Sequence, residues 1–368
     1  VCEASDLAAR SATRPEVQAV TAGSIQRAAA LLRNGSLVAF PTETVYGLGA
    51  SIDHPDALRR IFTAKGRPTA DPLIVHLADA ASAESFIGDW PAAAAELAAR
   101  CWPGPLTLIV RRPAGVIVRR PAGVPDLVCA GGATVGIRVP QPVGTRAMLA
   151  QVGSPVAAPS ANRFGRISPT TAAHVVAEFG GPDVSDRPDL ILDGGPCTLG
   201  VESTVVDLTG PDPVVRRPGG VSVEDLEAWI GPLRLDHRAV QSDDVTAALR
   251  SPGEYEAHYA PNAPVIALDA VPGIAALVAD AAVRSGRRAV SLDLPADPDR
   301  AAQTLFGRLR SLDESAPELI VAELLDDTGV GRAVNDRLRR AAHGRLVTAD
   351  RSDTIEEILE SVAGLLGW

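Results

Sequence analysis

Apolar residues recur at helical spacing from Ser24 to Leu32, and Asn34-Gly35 stops that helix. Leu37 to Phe40 is then a short continuous apolar run, the pattern of a buried strand. It delivers the chain into Pro41-Thr42-Glu43-Thr44-Val45-Tyr46-Gly47-Leu48-Gly49-Ala50, a stretch that reads as a turn rich in hydroxyls and glycine. The same figure repeats. Helices are predicted over 55–65, 92–100, 171–179 and 221–230, with 148–152 belonging to another, and strands over 72–77, 106–110, 134–140 and 155–159. Strand-and-turn pieces cover 190–195, 202–207 and 214–220. Strands that deliver polar loops, with helices between them, predict an α/β domain organised around one site. Its loops carry Thr42 and Thr44, and then Ser160 to Thr170, dense in hydroxyl, amide and guanidinium donors, where Ser168 or Thr170 is the expected cap of the next helix.

From Pro232 the periodicity is lost and the chain reads as a linker through Pro261. Regular alternation follows: strands over 265–268, 289–292 and 319–322, and helices over 274–284, 300–312, 330–342 and 354–366, a small doubly wound α/β pattern. The expected division is a frayed N-terminus (1–20), a first α/β domain (21–231), a linker or lid (232–262) and a C-terminal Rossmann-like domain (263–368). Gly329-Val330-Gly331 is too short to be a dinucleotide fingerprint. The octapeptide IVRRPAGV occurs twice in tandem, over 109–116 and 117–124. A single duplication cannot form a solenoid; it is expected to lengthen a hairpin loop.

A net charge of −10 argues against a broad surface for nucleic acid, while leaving room for a small basic pocket. No apolar run has the length of a membrane span, and Glu3, Asp6, Arg10 and Arg14 fill the place of a signal-peptide core, so a cytoplasmic location is expected. Cys2, Cys101, Cys129 and Cys197 stand far apart, indicating neither a disulfide framework nor a structural zinc, and no metal-ligating set is predicted. One residue stands out. Lys65 is the only lysine, every other basic residue being arginine. Beside Gly66 and Arg67 it offers a compact ammonium next to a guanidinium fork, a pair suited to crowded phosphate oxygens. Taken alone, Lys65-Gly66-Arg67 also fits a helix end with a surface lysine, and His76 alone fits a satisfied core histidine.

Seven segments carry a resemblance: PTETVYGLGA (41–50), KGRP with PLIVH (65–76), WPGPLTL (102–108), TVGIRVP (134–140), SAN with SPT (160–170), GVESTVVD (200–207) and RPGG (217–220). In this order they closely resemble the L-threonylcarbamoyl-adenylate synthases of tRNA modification. SPGEYEAHYAP (251–261) and GVGRAVNDRLRRAA (329–342) resemble the longer, two-domain form. The resemblance implies a YrdC-type twisted open mixed sheet with helices, and a reaction in which threonine, bicarbonate and ATP give threonylcarbamoyl-adenylate and pyrophosphate. It implies magnesium carried with ATP, bicarbonate as co-substrate, and hand-off to a threonylcarbamoyltransferase complex acting on tRNA.

By resemblance, Lys65 and Arg67 would be the catalytic cations. Asp71, Thr134, Ser160, Asn162, Ser168, Arg217 and Tyr259 would join them around ATP, and Thr44, His76, Arg138, Ala158 and Ser203 would hold threonine. Arg138 is the natural carboxylate partner. The chain departs from the family pattern at Asp71, Phe164, Glu254, Tyr255, Glu256 and Asp336, which alters the lid more than the pocket. Two other readings share these residues: a carbamoyl-transfer paralogue using carbamoyl phosphate, and an RNA-binding module.

Overall fold

A computed structural model describes residues 14–113, 123–181, 186–236, 258–350 and 352–368. Two compact units emerge: the described residues of the first run to Phe164 and resume at Ser168, and the second takes Gly165–Ile167 and the described chain from His258 onward.

The first unit is built on an 11-stranded sheet. Its strands are β1 (Glu16–Ala19), β2 (Val38–Phe40), β3 (Gly47–Ser51), β4 (Ile74–His76), β5 (Leu106–Arg111), β6 (Thr134–Arg138), β7 (Val156–Ala157), β8 (Leu190–Asp193), β9 (Thr204–Asp207), β10 (Val214–Arg217) and β11 (Arg234–Leu235). The order across the sheet is β1-β8-β2-β3-β7-β4-β6-β5-β9-β10-β11. Parallel pairs such as β4 with β6 mix with antiparallel ones such as β5 with β6, as a mixed sheet requires. The helices are α1 (Ala22–Arg33), α2 (Pro55–Lys65), α3 (Ala80–Ile87), α4 (Ala92–Cys101), α5 (Val143–Val152), α6 (Ala172–Phe179) and α7 (Val223–Ile230). Leu37, Leu48, Leu58, Ile61, Val75, Leu97, Leu108 and Ile137 pack into the main core, while Leu32, Val38, Phe40, Met148 and Leu190 form a second cluster.

Several expectations are corrected. Glu16–Ala19, assigned to the frayed terminus, is a strand paired in parallel with β8. Residues 47–50, read as part of a turn, belong to β3. A Cβ on Gly49 would lie 2.6 Å from the Phe40 ring and 2.8 Å from Val156, so glycine there serves close packing of neighbouring strands. Helix α6 is capped by Thr171, whose hydroxyl accepts the His174 N–H at 3.2 Å, and not by Ser168 or Thr170. Helix α3, absent from the sequence reading, is capped by Asp79. The stretch read as linker from Pro232 holds β11, paired with β10. Strands β5 and β6 pair antiparallel as the hairpin reading requires, while most of the duplicated octapeptide lies outside the described residues. The linker residues Glu254, Tyr255 and Glu256 also lie outside them.

The second unit is a parallel four-stranded sheet in the order β13-β14-β12-β15, from β12 (Val265–Asp269), β13 (Ala289–Leu292), β14 (Leu319–Glu323) and β15 (Leu346–Thr348). Its helices are α8 (Ile274–Arg284), α9 (Pro298–Glu314), α10 (Gly329–Ala341) and α11 (Ile355–Leu366). Ile266, Leu268 and Val321 pack with Val278, Ile358 and Val362 of α8 and α11, and the alternate residues Val265, Ala267 and Ile320 are equally buried. Both faces are therefore covered, as in a doubly wound sheet. Among the described residues no helix is long and apolar enough to cross a membrane.

Candidate active site

The turn between β2 and β3 organises the site. Thr42 Oγ1 accepts the N–H groups of Thr44 and Val45, each at 3.2 Å, and donates to the Val45 carbonyl at 2.6 Å. With its own proton committed, Thr42 accepts the Thr44 hydroxyl at 2.7 Å, which leaves the Thr44 oxygen as an acceptor. Backbone bonds stitch this turn to two other loops. Tyr46 N–H donates to Pro169 O at 2.8 Å and Ala161 N–H to Tyr46 O at 2.7 Å; Leu199 N–H donates to Glu43 O at 2.8 Å. The hydroxyl-rich loops around residues 42–46, 160–170 and 199–204 thus meet by main-chain hydrogen bonding.

Arg138 closes β6 opposite His76 in β4. Its Nη2 donates to Glu43 Oε1 at 2.6 Å and to Thr44 Oγ1 at 2.8 Å, and its Nε to Gly104 O at 3.3 Å. Nη1 has no hydrogen-bond partner among the described residues. Glu43 is anchored in turn, its Oε2 accepting the Gln141 N–H at 2.9 Å. His76 is buried against the edge of Phe40, and burial, aided by the Arg138 charge, pushes its pKa down to about 3, so the imidazole is neutral at physiological pH. Ala158 follows β7 and donates its N–H to Ile74 O at 2.9 Å. Ser203 Oγ shares a hydrogen bond with Thr107 at 2.8 Å and accepts from Arg217 Nη2 at 3.2 Å.

The second cluster lies at the end of α2. Gly66 adopts a left-handed conformation (φ 62°), the usual glycine stop of a helix, and brings Lys65 and Arg67 out at the same end. Lys65 is 2% exposed; its Nζ donates to Ser160 O at 2.6 Å and to Asn162 O. Burial, reinforced by the Arg67 charge and opposed by Glu178 and Asp71, pushes its pKa down to about 7. Arg67 pairs with the buried Asp71 at 2.7 Å and donates to Pro72 O at 2.8 Å. Ser168 donates to Glu202 at 2.6 Å, both side chains being buried. Arg217 donates to Ser203 O at 3.1 Å, and the neighbouring Gly219 is pressed so closely that a Cβ would lie 2.3 Å from Thr204 N. That contact is with backbone, so only glycine fits.

Lys65, Arg67, Asp71, Ser160 and Asn162 thus come together, as do Thr44 with Arg138, and Ser203 with Arg217. Thr134 opens β6, about 13 Å of strand away from Arg138. Tyr259 belongs to the second unit, where it is 1% exposed, its ring 5.6 Å from that of Phe306 with the Arg337 guanidinium 5.4 Å above it. Sequence reasoning passed over Glu43, Glu202 and Thr107. The two carboxylates stand inside the quoted motifs, and a buried acidic position in an otherwise apolar and hydroxyl setting is the signal that points to them.

The fold and these clusters define a two-domain α/β protein whose first domain buries an ammonium and three guanidinium groups among converging hydroxyl-rich loops. The Sua5, YciO and YrdC family model, described as telomere recombination, matches residues 30–219, and the model for the threonylcarbamoyl-AMP synthase C-terminal domain matches 221–343. The chain is 41% identical over 340 residues to the threonylcarbamoyl-AMP synthase of Bacillus subtilis, covering 88% of this chain and 94% of the relative. Its identity to the Pyrococcus abyssi threonylcarbamoyl-AMP synthase is 39% over 338 residues, covering 88% and 95%. The crystal structure of P. abyssi Sua5 complexed with L-threonine superimposes with a TM-score of 0.81 at 35% identity, covering 92% of this chain and 99% of that one. The chain belongs to the threonylcarbamoyl-AMP synthase family of enzymes, in its two-domain form.

Proposed function

We propose that this protein condenses L-threonine, bicarbonate and ATP into threonylcarbamoyl-adenylate, releasing pyrophosphate and water, and that the product feeds the threonylcarbamoyl modification of tRNA adenosine in the cytoplasm. The observation that carries the reading is Arg138. It is a buried guanidinium fixed on two sides, with Nη1 uncommitted, in a chain similar to the P. abyssi Sua5 that was solved complexed with L-threonine. Arg138 would hold the threonine carboxylate beside Thr44, His76, Ala158 and Ser203. Neutral His76 adds no competing charge there.

The chemistry has two bond-forming steps. The threonine amine attacks the carboxyl carbon of bicarbonate, a C–N bond forms and water leaves. A carbamate oxygen then attacks the α-phosphorus, and the bond to pyrophosphate breaks. No protein nucleophile is needed; the enzyme has to bring two anions together and keep water from an unstable carbamate. Lys65 and Arg67, with Arg217, would supply the positive charge, and Asp71, Thr134, Ser160, Asn162 and Ser168 would complete the nucleotide's surroundings. Magnesium would be carried by ATP and would neutralise phosphate charge there. The adenylate, a reactive mixed anhydride, then passes to a threonylcarbamoyltransferase complex.

The test is product mass. Incubation with ATP, magnesium, L-threonine and 13C-bicarbonate is expected to yield an adenylate one mass unit heavier than that formed from unlabelled bicarbonate. An adenylate without the label, or none, rejects the reaction.

A further inference from the structure

We infer that Glu43 is a positioning and specificity residue for the amino-acid subsite: it aims Arg138 and cancels its charge, so that the subsite selects a carboxylate by geometry and not as a general anion trap. The inference rests on reading Arg138 as the carboxylate partner of the substrate. Glu43 is 2% exposed and Arg138 4%, and their 2.6 Å contact is a buried ion pair between residues far apart in the chain. The carboxylate is itself immobile. Its Oε2 holds the Gln141 N–H, three residues beyond Arg138, and its backbone carbonyl holds the Leu199 N–H. Glu43 therefore locks the segment leaving β6 onto the turn after β2, with the guanidinium between them.

Donor accounting gives the consequence. Nη2 is spent on Glu43 and Thr44, and Nε faces Gly104 O at the long distance of 3.3 Å. The donor left for a ligand is Nη1, in a plane set by Glu43. Charge accounting gives the second consequence. An unpaired buried guanidinium would attract any small anion, whereas a neutral Glu43–Arg138 pair repels an anion approaching from the Glu43 side and rewards one that reaches Nη1. A partner-imposed orientation of this kind is worth more in a buried site than at a surface, because little solvent screens it.

The experiment is calorimetric titration of the full-length protein with L-threonine and, separately, ATP, for the wild type, Glu43→Gln and Glu43→Asp, each repeated in added sodium chloride. Glu43→Gln is expected to weaken threonine roughly tenfold to a hundredfold, the loss typical of a charged hydrogen-bond partner. ATP affinity should stay within about twofold, as for a site that the substitution leaves intact. Chloride, an anion without a carboxylate's geometry, should compete with threonine in Glu43→Gln and hardly at all in the wild type. Glu43→Asp, which keeps the charge, should recover chloride rejection even where its shorter reach costs threonine affinity. Thermal melting of each variant separates these effects from loss of fold. Threonine binding in Glu43→Gln equal to that of the wild type overturns the inference. So does a loss of ATP affinity as large as that of threonine, which marks a purely structural carboxylate; a lowered melting temperature alone is expected when one partner of the pair is removed. If the wild type itself binds no threonine, the reading of the subsite fails first and this inference with it.

Discussion

Replacing Lys65 by alanine is expected to lower turnover on the order of a hundredfold or more, the scale on which loss of one preorganised donor acts on a charged transition state. The ammonium sits 2% exposed between the carbonyls of Ser160 and Asn162, so two of its three donors are held by protein and its direction is set before a ligand arrives. Lys65→Arg is expected not to restore activity, because a planar fork cannot satisfy two carbonyls converging on a point donor and still face a phosphate. The pH dependence carries a sign. Burial and Arg67 lower the Lys65 pKa from 10.5 to about 7, so the charged form is lost as pH rises through that value in the free enzyme. Accordingly kcat/KM for ATP, which reports the free enzyme, should fall with rising pH on a limb near 7. Steady-state rates from pH 6 to 9 check this: the limb should vanish in Lys65→Ala, and its survival there would assign it to another group.

Arg138→Met should strongly destabilise the protein. It removes one partner of a pair whose side chains are 5% and 1% exposed, leaving the Glu43 carboxylate buried without its cation. Breaking such a pair from one side costs about 3–5 kcal/mol, whereas replacing both partners by neutral groups is often nearly neutral. The double variant Glu43→Gln/Arg138→Met is therefore expected to regain most of the lost stability in denaturant titration while binding no threonine. Equal destabilisation in single and double variants would show that the pair's worth lies in packing.

Much of this was legible in the chain. Buried strands such as β2, β4 and β5 announce themselves as apolar runs, and the second unit's alternation of strand and helix follows the same periods. What stayed hidden has physical reasons. β3 reads GLGAS, where close approach of Phe40 and Val156 requires a glycine that elsewhere would signal a turn. β1 lies at the sheet edge with three of its four residues exposed, so it has no apolar run to show. Lys65 declared itself by being the only lysine, but Glu43 did not: its partner lies 95 positions away, and nothing local tells whether a carboxylate faces a ligand or a guanidinium. The lowered pKa values of Lys65 and His76 likewise arise from burial, which the sequence pattern around them does not quantify.

The most direct measurement is pyrophosphate release by the full-length protein with ATP and magnesium, omitting threonine, bicarbonate or both, and then offering carbamoyl phosphate in their place. In the proposed reaction the attacking carbamate oxygen exists only after threonine and bicarbonate have combined, so release is expected only when both are present. Serine, which lacks one methyl group, should replace threonine with a penalty of roughly tenfold to two-hundredfold. An amino alcohol without the carboxylate should be rejected more strongly, because in the proposed subsite it would leave the Arg138 Nη1 donor without an acceptor. Release driven by carbamoyl phosphate in the absence of threonine and bicarbonate would contradict the account.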